Sequence, residues 1–533
     1  MATTALAVPR PSTVATTAED PYANRYWIAA AVTLAAVLEL VDTSIVNVAV
    51  PHMMGNLGAT LDEIAWVSTG YIIANVIVIP MSSWLSNWFG RRRYLTGSIL
   101  LFVAASFFCG AATGLWSLVF WRVIQGLGGG ALLSTAQATL FEAFPPKDVG
   151  KGQAIFGMGV MVGPTLGPTL GGYIVDNYDW PWIFYINVPL GLLAAAMVWA
   201  YVKNSKTGTR ATKIDVVGIV LLALSVGSLQ FMLERGERND WFESGLVVGL
   251  AAVSATSFVL FIWRELTFEQ PIVNLRVLKS RQLAAGVTFA AALGLAMYGS
   301  IFVLPVFLQQ LHGFTAWQTG KVIFPGAIAS AVTMAIIGRN ANKIDARYTI
   351  VIGVAMFGVC MYWLSGLSLD GGADDVFWPL ILRGVGMGLI FVPLTNASMA
   401  DLSATDVPQG TALFNLTRQL GGSLGIAIMA TLLSRFTSSA RSNLVTHMSA
   451  GDPEVTARIA TISRAFIARG SDATTAAAQA YRVLERQVLA QASVISFSKI
   501  YLISAVLMVL ALPLLLVWRT GRNRAALSAA DMH

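Results

Sequence analysis

The sequence predicts an all-α membrane protein that crosses the bilayer fourteen times, as two six-helix halves with two further helices inserted between them. Three observations predict this fold class. Only 12% of the 533 residues are charged, whereas a soluble globular domain is about a quarter charged. Apolar runs follow one another along the chain, each long enough to span about 30 Å of hydrocarbon. Each backbone amide in hydrocarbon must be paired within the chain, so these runs must be helices.

The apolar runs follow the pattern six, two, six. The predicted spans cover residues 27–50, 65–85, 95–115, 117–141, 152–174 and 182–202, then 214–233 and 245–263, then 284–310, 317–338, 348–368, 377–398, 409–434 and 499–518. Tryptophans near the span ends are expected to anchor the helices at the membrane–water interface; they are Trp27, Trp84, Trp116, Trp182, Trp263, Trp378 and Trp518. The predicted units are an N-terminal segment 1–26, a first half 27–202, an inserted pair within 203–265, a second half 266–518 and a C-terminal tail 519–533.

Basic residues collect in the loops on one side of the predicted helices, which we call the basic side. They are Arg91, Arg92, Arg93, Lys147, Lys151, Lys203, Lys206, Arg210, Lys213, Arg276, Lys279, Arg281, Arg339, Lys343, Arg347, Arg519, Arg522 and Arg524. Because short basic loops face the cytoplasm, both termini are expected there, in agreement with an even number of spans. The net charge of +7 is explained by this asymmetry, so no nucleic-acid partner is expected.

A long hydrophilic segment, residues 435–498, precedes the last predicted span. By parity it lies on the side opposite the basic loops, as an external loop with a helical stretch near Thr474–Ala490. Its arginines do not contradict this orientation, because long segments cross membranes largely regardless of charge. Two interpretations stay open: a tolerated insertion, or a docking surface for a partner protein.

Ionisable residues inside a bilayer are costly and are therefore the first candidates for function. Glu39 and Asp42 lie three residues apart in the first span and share one helix face. Arg122 lies in the fourth span, with Gln125 three residues later. A carboxylate and an arginine in a low-dielectric cavity can load and release a proton as helices move. We predict proton coupling by Asp42, Glu39 and Arg122, with a static ion pair or, for Glu39, binding of a cationic substrate as alternatives.

A central substrate cavity is predicted between the halves. Its candidate residues are Gln125, Tyr71, Asn75, Met158, Tyr298, Gln309, Phe391 and Arg418. Methionine and aromatic side chains would make such a cavity apolar and adaptable, and a carboxylate in it favours lipophilic cations, with neutral or weakly acidic compounds left open. Arg383 lies near a predicted span end and is expected to extend towards the interface.

The fifth span contains a dense glycine and proline run, residues 163–172, with the sequence GPTLGPTLGG. Glycines four residues apart leave a smooth face for close helix contact, and prolines remove backbone donors and bend a helix. A conformational role is predicted for Gly163, Pro164, Gly167, Pro168, Gly171 and Gly172. A static packing motif is the alternative.

Other classes of function find little support in the sequence. The two cysteines lie inside apolar runs and the four histidines are scattered, so neither a disulfide framework nor a metal site is predicted. The chain shows no zinc-protease motif, phosphate-binding loop or nucleophile elbow, so no enzyme activity and no cofactor are expected.

Several segments resemble one family. They are residues 41–51 (VDTSIVNVAVP), Arg122–Gly126, the run 163–173, residues 179–189 (DWPWIFYINVP), Trp241-Phe242 and residues 271–275 (PIVNL). The chain resembles the fourteen-helix drug:proton antiporters of the major facilitator superfamily, in particular their EmrB-like branch, from about Trp27 to Trp518. An importer or an exporter of a single metabolite remains as the alternative.

The resemblance implies multidrug efflux by alternating access in a bacterial inner membrane, driven by the proton gradient, with lipophilic substrates. It also implies a tripartite pump with a periplasmic membrane-fusion adaptor and an outer-membrane channel. Gating residues are expected in the loop after the second helix, at Asn87, Gly90, Arg91 and Arg92. Here the chain departs from the family, since Asn87 stands at the usual acidic position. The gate then depends on helix-end dipoles and hydrogen bonds, or is looser.

Overall fold

The computed structural model describes residues 22–204, 213–341, 343–448 and 452–518. The predicted tail 519–533, most of the segment 1–26 and the basic residues Lys206 and Arg210 lie outside them. Seventeen α-helices are found in the described residues: α1 Arg25–Leu57, α2 Leu61–Phe89, α3 Arg91–Gly110, α4 Leu115–Gly129, α5 Leu132–Ala143, α6 Val149–Asn177, α7 Trp182–Tyr185, α8 Asn187–Tyr201, α9 Val216–Arg235, α10 Gly245–Thr267, α11 Arg281–His312, α12 Ala316–Asn340, α13 Ala346–Leu364, α14 Ala373–Met399, α15 Val407–Thr446, α16 Pro453–Ile467 and α17 Ala473–Leu510.

Thirteen helices of the described chain are long and apolar enough to cross a membrane. The fourth predicted span is absent from that number because it is made by two shorter helices, α4 and α5, with a break at Gly130 and Ala131. With this pair taken as one crossing, the described chain has the fourteen crossings that the sequence predicts. The predicted fold class, a polytopic helical protein of two halves with an inserted pair, is confirmed.

The two halves meet along α6 and α12, which run past each other from one end of the molecule to the other. On the basic side, a Cβ added to Gly150 would lie 2.7 Å from the carbonyl oxygen of Gly338. On the opposite side, a Cβ at Gly172 would lie 3.4 Å from the backbone nitrogen of Trp317. The halves are therefore in close contact at both ends of this line.

The inserted helices α9 and α10 bridge the two halves. Towards the first half, Arg235 Nη2 donates to the carbonyl oxygen of Asp62 at 2.9 Å. Towards the second half, Gln230 Nε2 donates to Ser423 Oγ and Trp241 Nε1 donates to Thr431 Oγ1, both at 3.0 Å. Helix α9 thus contacts both α2 and α15, so any relative movement of the halves must alter its contacts.

A short connection holds the inserted pair to the second half on the basic side. Asp215 caps α9 by accepting from Gly218 N at 3.0 Å and also pairs with Arg264 of α10 at 3.0 Å. The next residue, Glu265, is buried and accepts from Val273 N at 3.1 Å. These contacts explain why the segment 271–275 is fixed, with Val273 buried, before α11 begins.

The described residues of the predicted segment 435–498 are mostly helical, and the placement of this segment on the outer side stays a prediction. Helix α15 continues to Thr446, α16 follows, and α17 begins at Ala473, which confirms the helical stretch near Thr474–Ala490. Arg441 of α15 pairs with Glu485 of α17 at 2.6 Å. A groove of about 300 Å³ lies between these helices, lined by Val445, Met448, Val455, Thr456, Ile459, Tyr481, Leu484, Glu485 and Val488.

The prediction of an anchor at the membrane–water interface is wrong for two of the tryptophans. Trp84 and Trp518 are buried, at 8% and 4% exposure, and belong to the core of the second half and the inserted pair. Trp84 stacks on Trp88 with ring centres 5.4 Å apart. Position at a span end does not decide the direction of a side chain, which depends on the neighbouring helices. The other predicted anchors are exposed: Trp27, Trp116, Trp182, Trp263 and Trp378.

Candidate functional site

A buried polar cluster surrounds Asp42 in the first half. Asp42 Oδ2 pairs with Arg122 Nη1 at 2.6 Å, and Asp42 Oδ1 accepts from Gln125 Nε2 at 2.9 Å and from Asn187 Nδ2 at 2.8 Å. The four side chains are no more than 1% exposed. The carboxylate therefore accepts three N–H groups from α4 and α8 in a water-poor interior, where breaking such a pair is strongly unfavourable.

Arg122 is held from three sides. Its Nε donates to the carbonyl oxygen of Val67 at 3.1 Å, and its Nη1 also donates to Gln125 Oε1 at 2.8 Å. The guanidinium lies over the Tyr71 ring, 4.1 Å from the ring centre, a favourable cation–π position. The spacing of three residues brings Arg122 and Gln125 to one face of α4, as the sequence predicts. The structure thus pairs Asp42 with Arg122; their role in proton transfer stays a prediction.

Glu39 lies one turn before Asp42 on α1 but belongs to a separate cluster. Its Oε1 accepts from Asn75 Nδ2 at 2.9 Å, and its Oε2 accepts from Leu133 N at 3.2 Å. The Leu133 N–H is available because α5 starts anew at Leu132, and the first N–H groups of a helix have no partner within it. The positive end of the α5 dipole also favours a carboxylate here. The interruption of the fourth span therefore creates the binding position of Glu39.

Glycines next to this interruption allow α2 to approach the fourth span. A Cβ at Gly126 would clash with the carbonyl oxygen of Tyr71, and one at Gly130 would clash with that of Asn75. The close approach brings Tyr71 against Arg122 and Asn75 against Glu39. Both predicted cavity residues are buried, at 1% and 3% exposure.

Of the other predicted cavity residues, Arg418, Phe391 and Met158 lie near one another, whereas Tyr298 and Gln309 lie elsewhere. Arg418 and Phe391 are buried together, with the guanidinium carbon 5.6 Å from the ring centre. Met158 packs against the same hydrophobic core as Phe391, and Tyr298 packs against Gly422 within the second half. Gln309 is exposed three residues before the end of α11, so the structure does not bring it to this group.

Arg383 lies in the interior of α14 rather than near its end. The helix starts at Ala373, before the predicted span, which moves Arg383 inward. Its Nη1 is buried and has no hydrogen-bond partner among the described residues. The expected extension of this side chain to the membrane interface is therefore wrong.

The glycine–proline run of α6 packs on two neighbours at once. Cβ atoms added to Gly163, Gly167 and Gly171 would meet α1 at Leu40, Ser44 and Ile45 respectively. The adjacent face meets the second half, where Gly320 of α12 packs against Thr169 and where Gly172 lies next to Trp317. Helix α6 remains one continuous helix through Pro164 and Pro168. Close packing by the glycines is confirmed, and movement stays a prediction.

The predicted gating loop is reduced to Gly90, since Asn87 lies in the last turn of α2 and Arg91 begins α3. The junction of these helices is held without an acid at Asn87. Arg91 is 3% exposed and forms an ion pair with Glu142, near the end of α5. The backbone nitrogen of Arg92 donates to Asn204 Oδ1 at 3.1 Å, which caps the start of α3. The Arg92 guanidinium lies 4.1 Å from the centre of the Trp199 ring. An ion pair and a backbone hydrogen bond therefore join the start of α3 to α5 and to the segment after α8, and Gly90 adopts a φ of 85° between α2 and α3.

Comparison with known proteins agrees with this architecture. Residues 32–426 match the model of the Major Facilitator Superfamily. The chain belongs to this superfamily. The multidrug export protein EmrB of Escherichia coli (strain K12) is 34% identical over 478 residues, which cover 89% of this chain and 91% of the relative. The fatty acid resistance protein FarB of Neisseria gonorrhoeae is 32% identical over 92% of this chain and 95% of the relative. The resemblance to the EmrB-like branch is confirmed.

Solved structures of the superfamily share the fold at low sequence identity. The human organic anion transporter MFSD10 aligns with a TM-score of 0.59 and 12% identity, over 91% of this chain and 99% of that chain. The proton:xylose symporter XylE aligns with a TM-score of 0.57 and 12% identity, over 92% and 95% respectively. These two likenesses concern the fold alone.

The sequence analysis assigned no role to Asn187 or Ser106, two residues of the polar cluster around Asp42. Asn187 donates to Asp42 and to Ser106 Oγ, the latter at 3.1 Å, and Ser106 Oγ donates to the carbonyl oxygen of Phe184 at 2.9 Å. In the sequence both are polar residues inside apolar spans, and Asn187 also lies in the family-like segment 179–189. Likewise, Glu142 gave no sign that it would pair with Arg91.

Proposed function

We propose that the protein is a proton-coupled exporter of lipophilic small molecules that works by alternating access. The observation that carries the proposal is the buried Asp42–Arg122 pair, whose carboxylate also accepts from Gln125 and Asn187. A membrane protein retains such a costly group only where it is used or fully paired. The relatives named for multidrug export and fatty acid resistance support export of lipophilic compounds.

Protonation of Asp42 would disturb every contact in the cluster. A neutral carboxyl group has an O–H donor where the carboxylate accepts three N–H groups, and it no longer compensates the Arg122 charge. Arg122 would then rely on the carbonyl oxygen of Val67 and on Gln125 Oε1. Since the partners belong to α1, α2, α4 and α8, a change in protonation shifts the packing of the first half.

The altered packing of the first half would then change the contact between α6 and α12, where the two halves meet. In the structure they touch on the basic side at Gly150 and Gly338 and on the opposite side at Gly172 and Trp317. Rocking about the centre would open one end while the other stays closed, so that substrate leaves as protons enter. The cycle needs no cofactor beyond the proton gradient.

The orientation and the partners are part of the same proposal. The basic side faces the cytoplasm of a bacterial cell, with both termini there, and the membrane is the inner membrane. The helical extension made by the end of α15, α16 and the start of α17 then projects into the periplasm. Its groove near Val445, Ile459 and Tyr481 offers an apolar surface to a periplasmic adaptor, which would connect the exporter to an outer-membrane channel.

Purified protein in liposomes with an internal pH-sensitive dye tests the central proposal. A pH gradient is imposed and lipophilic dyes are added to wild type, Asp42→Asn, Arg122→Ala and the control Asp176→Asn, which changes an exposed acid. We expect substrate-dependent proton flux in wild type and the control and none in the two site variants. Flux that survives both site changes would move the proton site elsewhere, with Glu39 next. No substrate-coupled flux in folded wild-type protein would refute the exporter proposal.

A further inference from the structure

A small cavity lined by hydroxyl groups lies between α2, α5 and the start of α15, on the basic side of the molecule. Its volume is about 10 Å³, which is room for about one water molecule. Its walls include serines of α2, two hydroxyl residues of α5 and one residue of the second half: Ser82, Ser83, Ser86, Ser134, Thr135 and Pro408. The hydroxyl oxygens of Ser134 and Thr135 are buried and have no hydrogen-bond partner among the described residues. Buried polar atoms of this kind are unfavourable unless water reaches them, so these two side chains are suited to hold water.

The cavity lies between the buried Glu39 and the basic-side surface. Glu39 Oε2 accepts from Leu133 N at 3.2 Å, and Ser134 is the next residue of α5. Near the basic end of the same helix, Glu142 is 27% exposed and pairs with Arg91, which also lines the cavity. With a rise of 1.5 Å per residue, Leu133 and Glu142 are separated by about 13 Å along α5. Hydroxyl groups therefore occupy the interval between a buried carboxylate and one that solvent reaches.

Helix α2 carries polar residues along the same route. Asn75 donates to Glu39 Oε1 at 2.9 Å, and Ser82 and Ser86 follow at helical spacing on the same face. All three side chains are buried. A Cβ at Gly130, just before α5, would clash with the carbonyl oxygen of Asn75, so α2 and α5 lie side by side from this level towards the cavity.

The Tyr71 hydroxyl touches both carboxylate clusters at the inner end of this route. Its ring lies against the guanidinium that pairs with Asp42. A Cβ added at Gly129 would lie 2.8 Å from Tyr71 Oη and 3.2 Å from Asn75 Nδ2. The hydroxyl is therefore close to the amide that binds Glu39, and polar groups continue from Asp42 to Glu39.

We propose that the proton exchanged for substrate leaves the protein through this cavity, from Glu39 along water held by Ser134 and Thr135 to the cytoplasm. This inference rests on the proposed function and assigns a proton exit to it. Glu39 becomes a carboxylate when it gives up its proton. Each water molecule or hydroxyl group on the route accepts one proton and donates another, so the route is unchanged after one proton has been delivered.

The second half closes this exit in the present structure. Pro408, the second residue of α15, forms part of the cavity wall. The contact of Gly150 with Gly338 holds the halves together on the same side. Separation of the halves there would move Pro408 away and admit cytoplasmic water. The exit then opens only in the conformation that faces the cytoplasm, which prevents a proton leak through the closed protein.

Proton flux and substrate exchange, measured in the same liposomes, test the inference. Flux is driven by a pH gradient with ethidium or rhodamine 6G as the transported dye. Exchange of radiolabelled for unlabelled dye is measured without a gradient, because it needs alternating access but no proton release. Ser134→Ala combined with Thr135→Val is expected to lower the flux at least about tenfold, since the hydrogen bonds that hold the water are lost. Exchange should stay within about twofold of wild type, which also shows that the variant is folded.

Two further variants separate the hydroxyl group from the shape of the side chain. Thr135→Val alone changes the shape little and should lower the flux in the same direction, whereas Thr135→Ser keeps the hydroxyl and should retain the flux. The matched control is Thr139→Val on the same helix. Thr139 is 5% exposed, but its hydroxyl already donates to the carbonyl oxygen of Thr135 at 2.6 Å, so both rates should stay at the wild-type level.

Wild-type flux in the combined variant would overturn the inference. An equal loss of flux and exchange would overturn it as well, because the side chains would then serve packing or helix movement. The same holds if Thr139→Val lowers the flux as much as Thr135→Val. These outcomes leave the exporter proposal standing, whereas wild-type protein that shows neither dye-coupled flux nor exchange would refute that proposal and the proton exit with it.

Discussion

Gly167 is a position where one added methyl group should separate two helices. A Cβ there would overlap Ser44 Oγ, and it would lie 2.7 Å from Ser44 Cβ and 3.0 Å from the backbone nitrogen of Ile45. Non-bonded carbon atoms in proteins are separated by about 3.5–4.0 Å, so Gly167→Ala must move α6 away from α1 by about 1 Å. Overpacking of this kind costs about 1–3 kcal/mol. We expect the upper part of that range, because the backbone of Ile45 cannot rotate away.

The two cysteines allow the thermal stability of the variants to be measured by thiol labelling. Cys109 and Cys360 are free and buried, so a thiol-reactive dye labels them only as the protein unfolds. Gly167→Ala is expected to lower the apparent melting temperature by about 2 °C or more. Gly97→Ala is the matched control, since nothing lies within 4 Å of a Cβ at that position, and it should not lower the melting temperature.

A second substitution checks that the contact itself is the cause. In a Ser44→Gly background the clashing side chain is absent, so Gly167→Ala should cost less than it does in wild type, as a double-mutant cycle would show. An unchanged melting temperature for Gly167→Ala would refute the argument. The same holds for an equal loss in both backgrounds, because the cost would then not come from Ser44.

Three further predictions concern other contacts between elements. Gly338→Val should prevent close contact of α6 and α12 on the basic side, because its Cβ would clash with α6; spin-label distances between those helix ends should lengthen, and unchanged distances would contradict this. Glu142→Gln should remove the negative charge that pairs with buried Arg91 and cost about 2 kcal/mol, measured as a lower melting temperature. Glu142→Asp keeps the charge and should lower the melting temperature less. Trp241→Phe should remove the hydrogen bond to Thr431 at a cost of about 1 kcal/mol and increase protease cleavage near the inserted pair; equal cleavage in wild type and variant would argue against a bridging role.

The residues inside the membrane show how far sequence reasoning reached. Asp42, Glu39 and Arg122 could be selected in advance, because a charge in hydrocarbon is rare and costly. Gln125 and Asn75 were candidates as well, but the contacts that hold the carboxylates could not be predicted. Asn187 is far from Asp42 along the chain, and Leu133 contributes a backbone N–H that is free only because the fourth span is interrupted. Such contacts depend on how the helices are rotated against each other, and close approaches at Gly126, Gly130 and Gly167 decide that rotation.

The sequence by itself determined that this chain is a helical membrane protein of fourteen crossings with charged residues in its first half, because hydrocarbon admits few charges and requires every amide to be paired within a helix. Only the tertiary structure decided that Asp42 is compensated by Arg122, that Trp84 and Trp518 are buried, and that the described part of 435–498 is mostly helical. Hydrophobicity specifies which segments enter the membrane. It does not specify which faces meet, since between helices surrounded by lipid that choice depends on shape and on individual hydrogen bonds.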